Sequence, residues 1–220
     1  MAKKISVVIN DVYKMFPNIK GYLTNISITN DINKNSYVAS FQPIYQFINS
    51  TNNIDEYNKV NKTQILLNSY YFLNEEILDG SVKDNWYVND ANFESLIAHE
   101  LGHYINFVSL LKIEKIDNII LVTKDNEENK NNIIESVNSQ SYSKQLVMEA
   151  LINYNQIYDT NLKLEEFTLL ISNYANRKND RNEYIYDEAI AEAVHDYYLH
   201  ETLSSKASLE IIKVLKLRLN

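Results

Sequence analysis

The 220-residue chain has no cysteine, only three glycines and two prolines, and no apolar run long enough to cross a membrane. Without cysteine, disulfides, thiolate catalysis, iron–sulfur clusters and cysteine-bound zinc are excluded. Any metal ion must therefore be held by histidines and carboxylates. Few glycines and prolines disfavour a many-stranded β fold and favour helices. Neither GxGxxG nor GxxxxGK[ST] occurs, so no phosphate-binding loop is expected.

A basic excess is also missing, because the net charge is -8. We therefore expect no nucleic-acid partner and no binding to an anionic membrane surface. The two N-terminal lysines are followed by only five apolar-rich residues, Ile5 to Ile9, which is too short for a signal peptide. The sequence as written predicts a cytoplasmic protein, or one that is phage-associated or exported by another route.

The length predicts a single domain over residues 1–220. A first helix over 3–16 ends at Pro17, and three short runs rich in β-branched and aromatic residues predict strands at Tyr22–Thr29, Tyr37–Gln42 and Thr63–Asn68, with a loop over Asn49–Lys62. Helical periodicity then dominates. We expect an α+β fold with a small mixed sheet in about 1–88, a long helix over 89–111, a helical insertion over 112–170 with a charged surface segment at Lys124–Asn138, and a further helix pair in 171–220.

The predicted helix over 89–111 contains HExxH, with His99 and His103 four residues apart on one face. Both rings can bind one metal ion, and Glu100 lies beside them as a general base for a bound water. Random placement would give this motif roughly once in 200 such chains. The alternative is a surface helix with two solvated histidines.

A catalytic zinc ion needs a third protein ligand and keeps its fourth position for water. Asn106 and Ser109 stand where the metzincin pattern requires glycine and histidine, so that subclass is excluded. Only His195 and His200 remain as histidines. We expect a glutamate instead.

Glu188 is the preferred third ligand, and Glu149 remains the alternative. Glu192 lies four residues after Glu188 on the same helix face, where it can accept an N–H from a zinc-binding histidine. Alanines surround this pair, and carboxylates in an apolar stretch are costly unless a cation or hydrogen-bond donor meets them.

The HELGH motif, followed by Ser172-Asn173-Tyr174 and by E-x-x-A-E-A at 188–193, resembles the catalytic domain of the anthrax lethal factor family of gluzincin metallopeptidases. Clostridial Pro-Pro endopeptidases and small zinc peptidase domains of phage head proteins share the pattern. The resemblance covers Phe93–Phe107 and Ile171–Tyr198. It implies a zincin-like fold, one Zn²⁺ per chain on His99, His103 and Glu188, Glu100 as general base, and Glu192 supporting a ligand.

The family pattern also implies that the Tyr174 hydroxyl faces the developing oxyanion. The gap from Tyr174 to Glu188 is longer than in the family, with Asn176–Asn182 as the extra loop, so Tyr184 and Tyr186 are alternatives. His195 shares the face of Glu188 and is a candidate catalytic residue, as an oxyanion partner or a supporting donor. His200, near a helix end, is expected to interact with the helix dipole only.

The expected activity is zinc-dependent cleavage of a peptide or protein substrate by an endopeptidase. By fold analogy, the substrate would extend along an edge strand, for which Thr63–Asn68 and Tyr87–Val88 are the candidates. Gly102, inside the motif, is expected to let another element approach the helix. The alternatives are a zinc-binding interaction or toxin module that does not cleave, and a structural helical protein with a chance motif.

Overall fold

The computed structural model describes residues 2–29, 37–48, 57–74, 76–77, 86–113, 121–122 and 135–220. Its elements, in chain order, are helix α1 (Ala2–Met15), a 3-10 turn (Pro17–Ile19), strands β1 (Asn25–Thr29), β2 (Ala39–Ile48) and β3 (Tyr57–Asn68), helices α2 (Ser69–Phe72) and α3 (Phe93–Ile113), strand β4 (Leu121–Val122), helices α4 (Ser141–Tyr158), α5 (Leu164–Leu169) and α6 (Tyr186–His200), a 3-10 turn (Glu201–Leu203) and helix α7 (Lys206–Leu219). The protein is therefore α+β, with a mostly helical C-terminal half, as the sequence predicts.

Strand β3 lies at the centre of a small mixed sheet. On one side it pairs in parallel with β1, and on the other it pairs antiparallel with β2. The two-residue strand β4 pairs with β3 at Asn58 and Lys59. Strand β2 is thus an edge strand of the described sheet, and Pro43, which has no N–H to donate, is tolerated at that edge.

This topology corrects the expectations about the substrate-binding edge. Residues Thr63–Asn68 belong to the central strand, because Gln64–Asn68 pair with β1 and the same segment pairs with β2. Residues Tyr87–Val88 form a bend and no strand. The strand edge that lies beside α3 is β2, whose Phe41 N–H contacts that helix.

Two further boundaries differ from the sequence prediction. Residues 57–62, predicted as loop, form the first half of β3. Their polar composition does not predict a strand, but main-chain pairing with β2 makes them one. The predicted helical insertion over 112–170 contains β4 as well as α4 and α5. Most of the charged segment Lys124–Asn138, residues 124–134, lies outside the described residues.

Helix α3 is the central helix of the fold. From Phe93 to Leu111 nearly all its side chains are buried, including the polar side chains of His99, Glu100 and Asn106. Helices α6, α1 and α7 and strand β2 pack around it, with α6 making the most extensive contact. Buried residues from α1 to α7 form one core cluster. None of the described helices is long and apolar enough to cross a membrane.

Candidate metal centre

Helix α3 carries both histidines of the HExxH motif on its buried face. The Asn92 side chain accepts hydrogen bonds at 3.0 Å from the N–H groups of Glu94 and Ser95, so it caps a helix that begins at Phe93, four residues after the predicted start at residue 89. About two and three turns after this cap, His99 and His103 lie with ring centroids 5.0 Å apart. The helix therefore brings both rings to one place, as their spacing predicts.

Helix α6 supplies the third group from its first turn. Oε2 of Glu188 lies 3.3 Å from His99 Nε2 and 3.4 Å from His103 Nε2. Tetrahedral zinc with ligands at 2.0–2.1 Å would separate each pair of ligand atoms by about 3.3–3.4 Å. This carboxylate oxygen is buried and makes no hydrogen bond. Such an atom is costly unless a cation meets it, so the three side chains fit a metal ion.

The electrostatics of the metal-free cluster also favour positive charge. Burial alone would lower the pKa of His99, but the adjacent carboxylates of Glu188 and Glu192 outweigh burial and raise the pKa to about 9. Asp187 and Glu188 likewise raise the pKa of His103 against the effect of burial. Burial would raise the pKa of Glu188, yet the two histidines lower it far below its usual range. A metal ion would replace the protons that these rings otherwise hold.

Glu192 lies behind the cluster, one turn after Glu188. Its Oε1 accepts from His99 Nδ1 at 2.8 Å and from His195 Nδ1 at 3.0 Å. Its Oε2 accepts from the Val88 N–H at 3.0 Å and the Ser172 hydroxyl at 2.7 Å. Burial would raise its pKa, but the hydrogen bonds and charges of the histidines lower it to about 2.

His99, Glu192 and His195 also lie close enough together to hold a metal ion. However, both oxygens of Glu192 already accept two hydrogen bonds each. We therefore assign Glu192 the supporting role that its spacing predicts: it fixes the ring of His99 so that Nε2 faces Glu188.

Asp187 plays the same part for His103, and the sequence prediction missed it. Its Oδ2 accepts from His103 Nδ1 at 2.6 Å, and its Oδ1 accepts from Asn106 Nδ2 at 2.6 Å. Each histidine of the motif is thus held by its own carboxylate. The available signals were the position of Asp187 next to Glu188 and of Asn106 one turn after His103.

Glu100 points into the same cavity from α3 and is almost fully buried. Its Oε2 accepts a hydrogen bond at 2.7 Å from the main-chain N–H of Phe41 on the outer edge of β2. Burial raises the pKa of Glu100, and the charges of His103 and His99 oppose that rise. A main-chain group of the edge strand therefore positions the expected general base, which sequence alone could not indicate.

Of the three tyrosines considered as oxyanion donors, Tyr174 is the one that lies at the cluster. Its hydroxyl donates to Glu188 Oε1 at 3.3 Å, and its ring lies 5.5 Å from the His99 ring. Burial raises the pKa of Tyr174. The alternatives lie elsewhere: the Tyr184 hydroxyl bonds to Glu165, and neither Tyr184 nor Tyr186 lines the cavity.

Three other candidates lie away from the reacting position. Glu149 is half-exposed on α4 and pairs with Arg218 at 2.6 Å, so it lies outside the candidate metal cluster. His195 is fully buried between Glu192 and Ser95 and does not line the cavity, so its position suits support of Glu192 rather than contact with substrate. His200, at the end of α6, bonds to Asp196 and Asp90.

The cavity that holds this cluster has a volume of about 620 Å³. Strand β2 borders it with Val38–Phe41, while Asn106, Phe107 and Leu110 extend it along α3. Glu100, His99, His103, Glu188 and Tyr174 all line it. The candidate metal position therefore lies in a cavity bordered by both β2 and α3.

No family model, no curated protein and no solved structure matches this chain. The functional assignment therefore depends on the geometry of the site.

Proposed function

We propose that this protein is a zinc-dependent endopeptidase in which His99, His103 and Glu188 hold the metal ion. One observation carries the proposal. Oε2 of Glu188 is buried, makes no hydrogen bond, and lies at the distance from two histidine nitrogens that ligands of one tetrahedral metal ion would have. Two histidines and one carboxylate are the donor set of many catalytic zinc sites, which keep one position open. A carboxylate in the same cavity, Glu100, supplies the base that hydrolysis needs.

Bound in this cluster, a zinc ion would polarise the scissile carbonyl and lower the pKa of a water molecule to about 7. Glu100 would take a proton from the attacking water as the water oxygen bonds to the scissile carbonyl carbon, and would pass that proton to the amine nitrogen as the C–N bond breaks. The Phe41 N–H holds one oxygen of Glu100, leaving the other for the proton transfer. The Tyr174 hydroxyl donates to the carbonyl oxygen as negative charge develops there.

We further propose a zincin-like fold that resembles the lethal factor family. Three features support this proposal: HExxH lies on a buried helix, a sheet edge runs beside that helix, and the third carboxylate comes from a helix further along the chain. Because β2 is the described edge nearest the cluster, an extended peptide substrate would pair with its outer side.

Cleavage of a peptide library by the zinc-loaded protein tests this function. We expect the wild type to cut at defined bonds and Glu100→Gln to lose about 10²–10⁴-fold in kcat while keeping one equivalent of zinc. Glutamine is a suitable replacement because its carbonyl oxygen can still accept from Phe41. Glu94→Gln is the matched control, since Glu94 lies on the same helix, is half-exposed and pairs with Lys4 at 3.4 Å.

Equal turnover by the wild type and Glu100→Gln would contradict the role of Glu100. If the wild type binds zinc and cuts nothing, the protein is instead a zinc-binding module without peptidase activity.

A further inference from the structure

Arg177 lies at the mouth of the cavity and contacts Tyr174 in two ways. One guanidinium nitrogen donates to the Tyr174 hydroxyl at 2.7 Å, and the guanidinium carbon lies 5.2 Å from the centre of the Tyr174 ring. Arg177 belongs to the loop at 176–182, which departs from the lethal factor pattern. It is the only lysine or arginine among the described residues that line the cavity.

The loop holds Arg177 in place through its main chain. The Arg177 N–H donates to the carbonyl of Tyr174, and the Arg177 carbonyl accepts from the N–H of Ile185, just before α6. The main chain of Arg177 is therefore fixed both to the segment that carries Tyr174 and to the start of the helix that carries Glu188. The guanidinium nitrogen Nη1 also lies 3.5 Å from Glu188 Oε1, and about half of the side chain remains exposed, so Arg177 does not act as a core packing residue.

The direction of the hydrogen bond decides what Arg177 does to Tyr174. A guanidinium group can only donate, so the Tyr174 oxygen must accept from it. The single proton of the hydroxyl is then directed away from Arg177, and it is donated towards Glu188 at 3.3 Å. A positive charge on the accepting side also makes the hydroxyl a stronger donor, because charge-assisted and linked hydrogen bonds reinforce each other.

We propose that Arg177 is a positioning residue of the hydrolysis, acting through Tyr174. It orients and polarises the Tyr174 O–H so that this proton meets the carbonyl oxygen of the substrate as negative charge develops on it. This inference rests on the proposed function. Arg177 need not touch the substrate, and its contribution depends on the presence of the Tyr174 hydroxyl.

A double-mutant cycle tests the inference in the zinc-loaded protein. We expect Tyr174→Phe to lower kcat by roughly 10²-fold or more, as loss of one oxyanion donor does. We expect Arg177→Met to lower kcat by about tenfold, with KM nearly unchanged and one equivalent of zinc retained. In the Tyr174→Phe background, Arg177→Met should then have no further effect on kcat.

Three further variants and readouts sharpen this cycle. Arg177→Lys keeps the positive charge but lacks the planar guanidinium group, so its kcat should lie between those of the wild type and Arg177→Met. Arg181→Met is the matched control, because Arg181 is exposed in the same loop and does not line the cavity. In the metal-free protein, the losses in thermal midpoint from Tyr174→Phe and Arg177→Met should sum to more than the loss in the double variant.

The outcomes separate this inference from the function on which it rests. If Arg177→Met lowers kcat equally in both backgrounds, or raises KM alone, Arg177 acts on Glu188 or on the substrate and not through Tyr174, and the inference is wrong while the peptidase stands. If the wild type cuts no peptide, the proposed function fails, and the inference falls with it.

Discussion

Gly102 and Ala191 meet where helices α3 and α6 cross. A Cβ atom on Gly102 would lie 2.6 Å from the Cα of Ala191 and 3.0 Å from its carbonyl oxygen. The absence of a side chain therefore lets the main chain of α6 approach α3 between Glu100 and His103. This confirms the expectation from sequence that Gly102 permits a close approach, and it explains how Glu188 reaches both histidines.

Replacing Gly102 with alanine should destabilise the protein in spite of the better helix propensity of alanine. The propensity gain is about 1 kcal/mol, whereas overpacking against a main chain costs about 1–3 kcal/mol. We expect a thermal midpoint lower by a few degrees and weaker zinc binding, because the two helices must separate. Differential scanning calorimetry measures the first effect. A midpoint equal to or above that of the wild type would show that α6 does not pack this closely.

Replacing Glu192 with glutamine should weaken zinc binding without removing a ligand. Each oxygen of Glu192 accepts two hydrogen bonds, including those from His99 and His195. In the glutamine variant, the side-chain NH₂ would replace one of these oxygens and would face donors that it cannot accept from. Loss of such a supporting carboxylate costs about 10–100-fold in metal affinity. Competition with a chelator measures the affinity. Asp187→Asn should behave similarly through His103, and unchanged affinity in both variants would contradict the supporting role.

Replacing Phe41 with proline should lower kcat more than replacing it with alanine. Proline removes the main-chain N–H that donates to Glu100, and the pairing of β2 with β3 does not use this N–H. Proline is already tolerated two residues later at Pro43, on the same edge. Phe41→Ala is the matched control, since it loses the ring and keeps the N–H. Steady-state kinetics at equal zinc content should separate the two variants, and equal kcat values would mean that the N–H does not position Glu100.

The stabilising effect of His200 should depend on pH. Burial alone would lower the pKa of His200, but hydrogen bonds to Asp196 and Asp90 outweigh it and raise the pKa above its usual value of about 6.5. The folded state thus binds the proton of His200 more tightly than the unfolded state does. The contribution of His200 to the free energy of unfolding is therefore complete below about pH 6.5, and it is lost as the pH rises through the higher pKa of the folded state.

Urea unfolding of the wild type and His200→Gln measures this dependence. We expect the difference in unfolding free energy to be largest in mildly acidic solution and to shrink above neutral pH. A difference that stays constant or grows as the pH rises would contradict the charge-based role.

The sequence predicts the parts of the site that depend on helix periodicity. The spacing of His99 and His103, and of Glu188 and Glu192, is enough to place each pair on one face. Periodicity also places His195 beside Glu192, which it supports, but seven residues advance about 10.5 Å along a helix, and His195 does not line the cavity.

Contacts between distant segments could not be predicted in this way. The Phe41 N–H meets Glu100 across 59 residues, and Asp187 meets His103 across 84. Both pairs form only when the sheet edge and α6 dock on α3. The polar first half of β3 could not be predicted as a strand either, because pairing with β2 and not composition makes it one.

Metal content of the purified protein tests the central claim most directly. We expect about one equivalent of zinc in the wild type and in Glu149→Gln, whose carboxylate pairs with Arg218 on the surface. Glu188→Gln should lose zinc affinity by more than the roughly 100-fold that loss of a supporting residue costs. Wild-type protein with far less than one equivalent of zinc in zinc-replete buffer, or equal retention by Glu188→Gln and Glu149→Gln, would contradict the account.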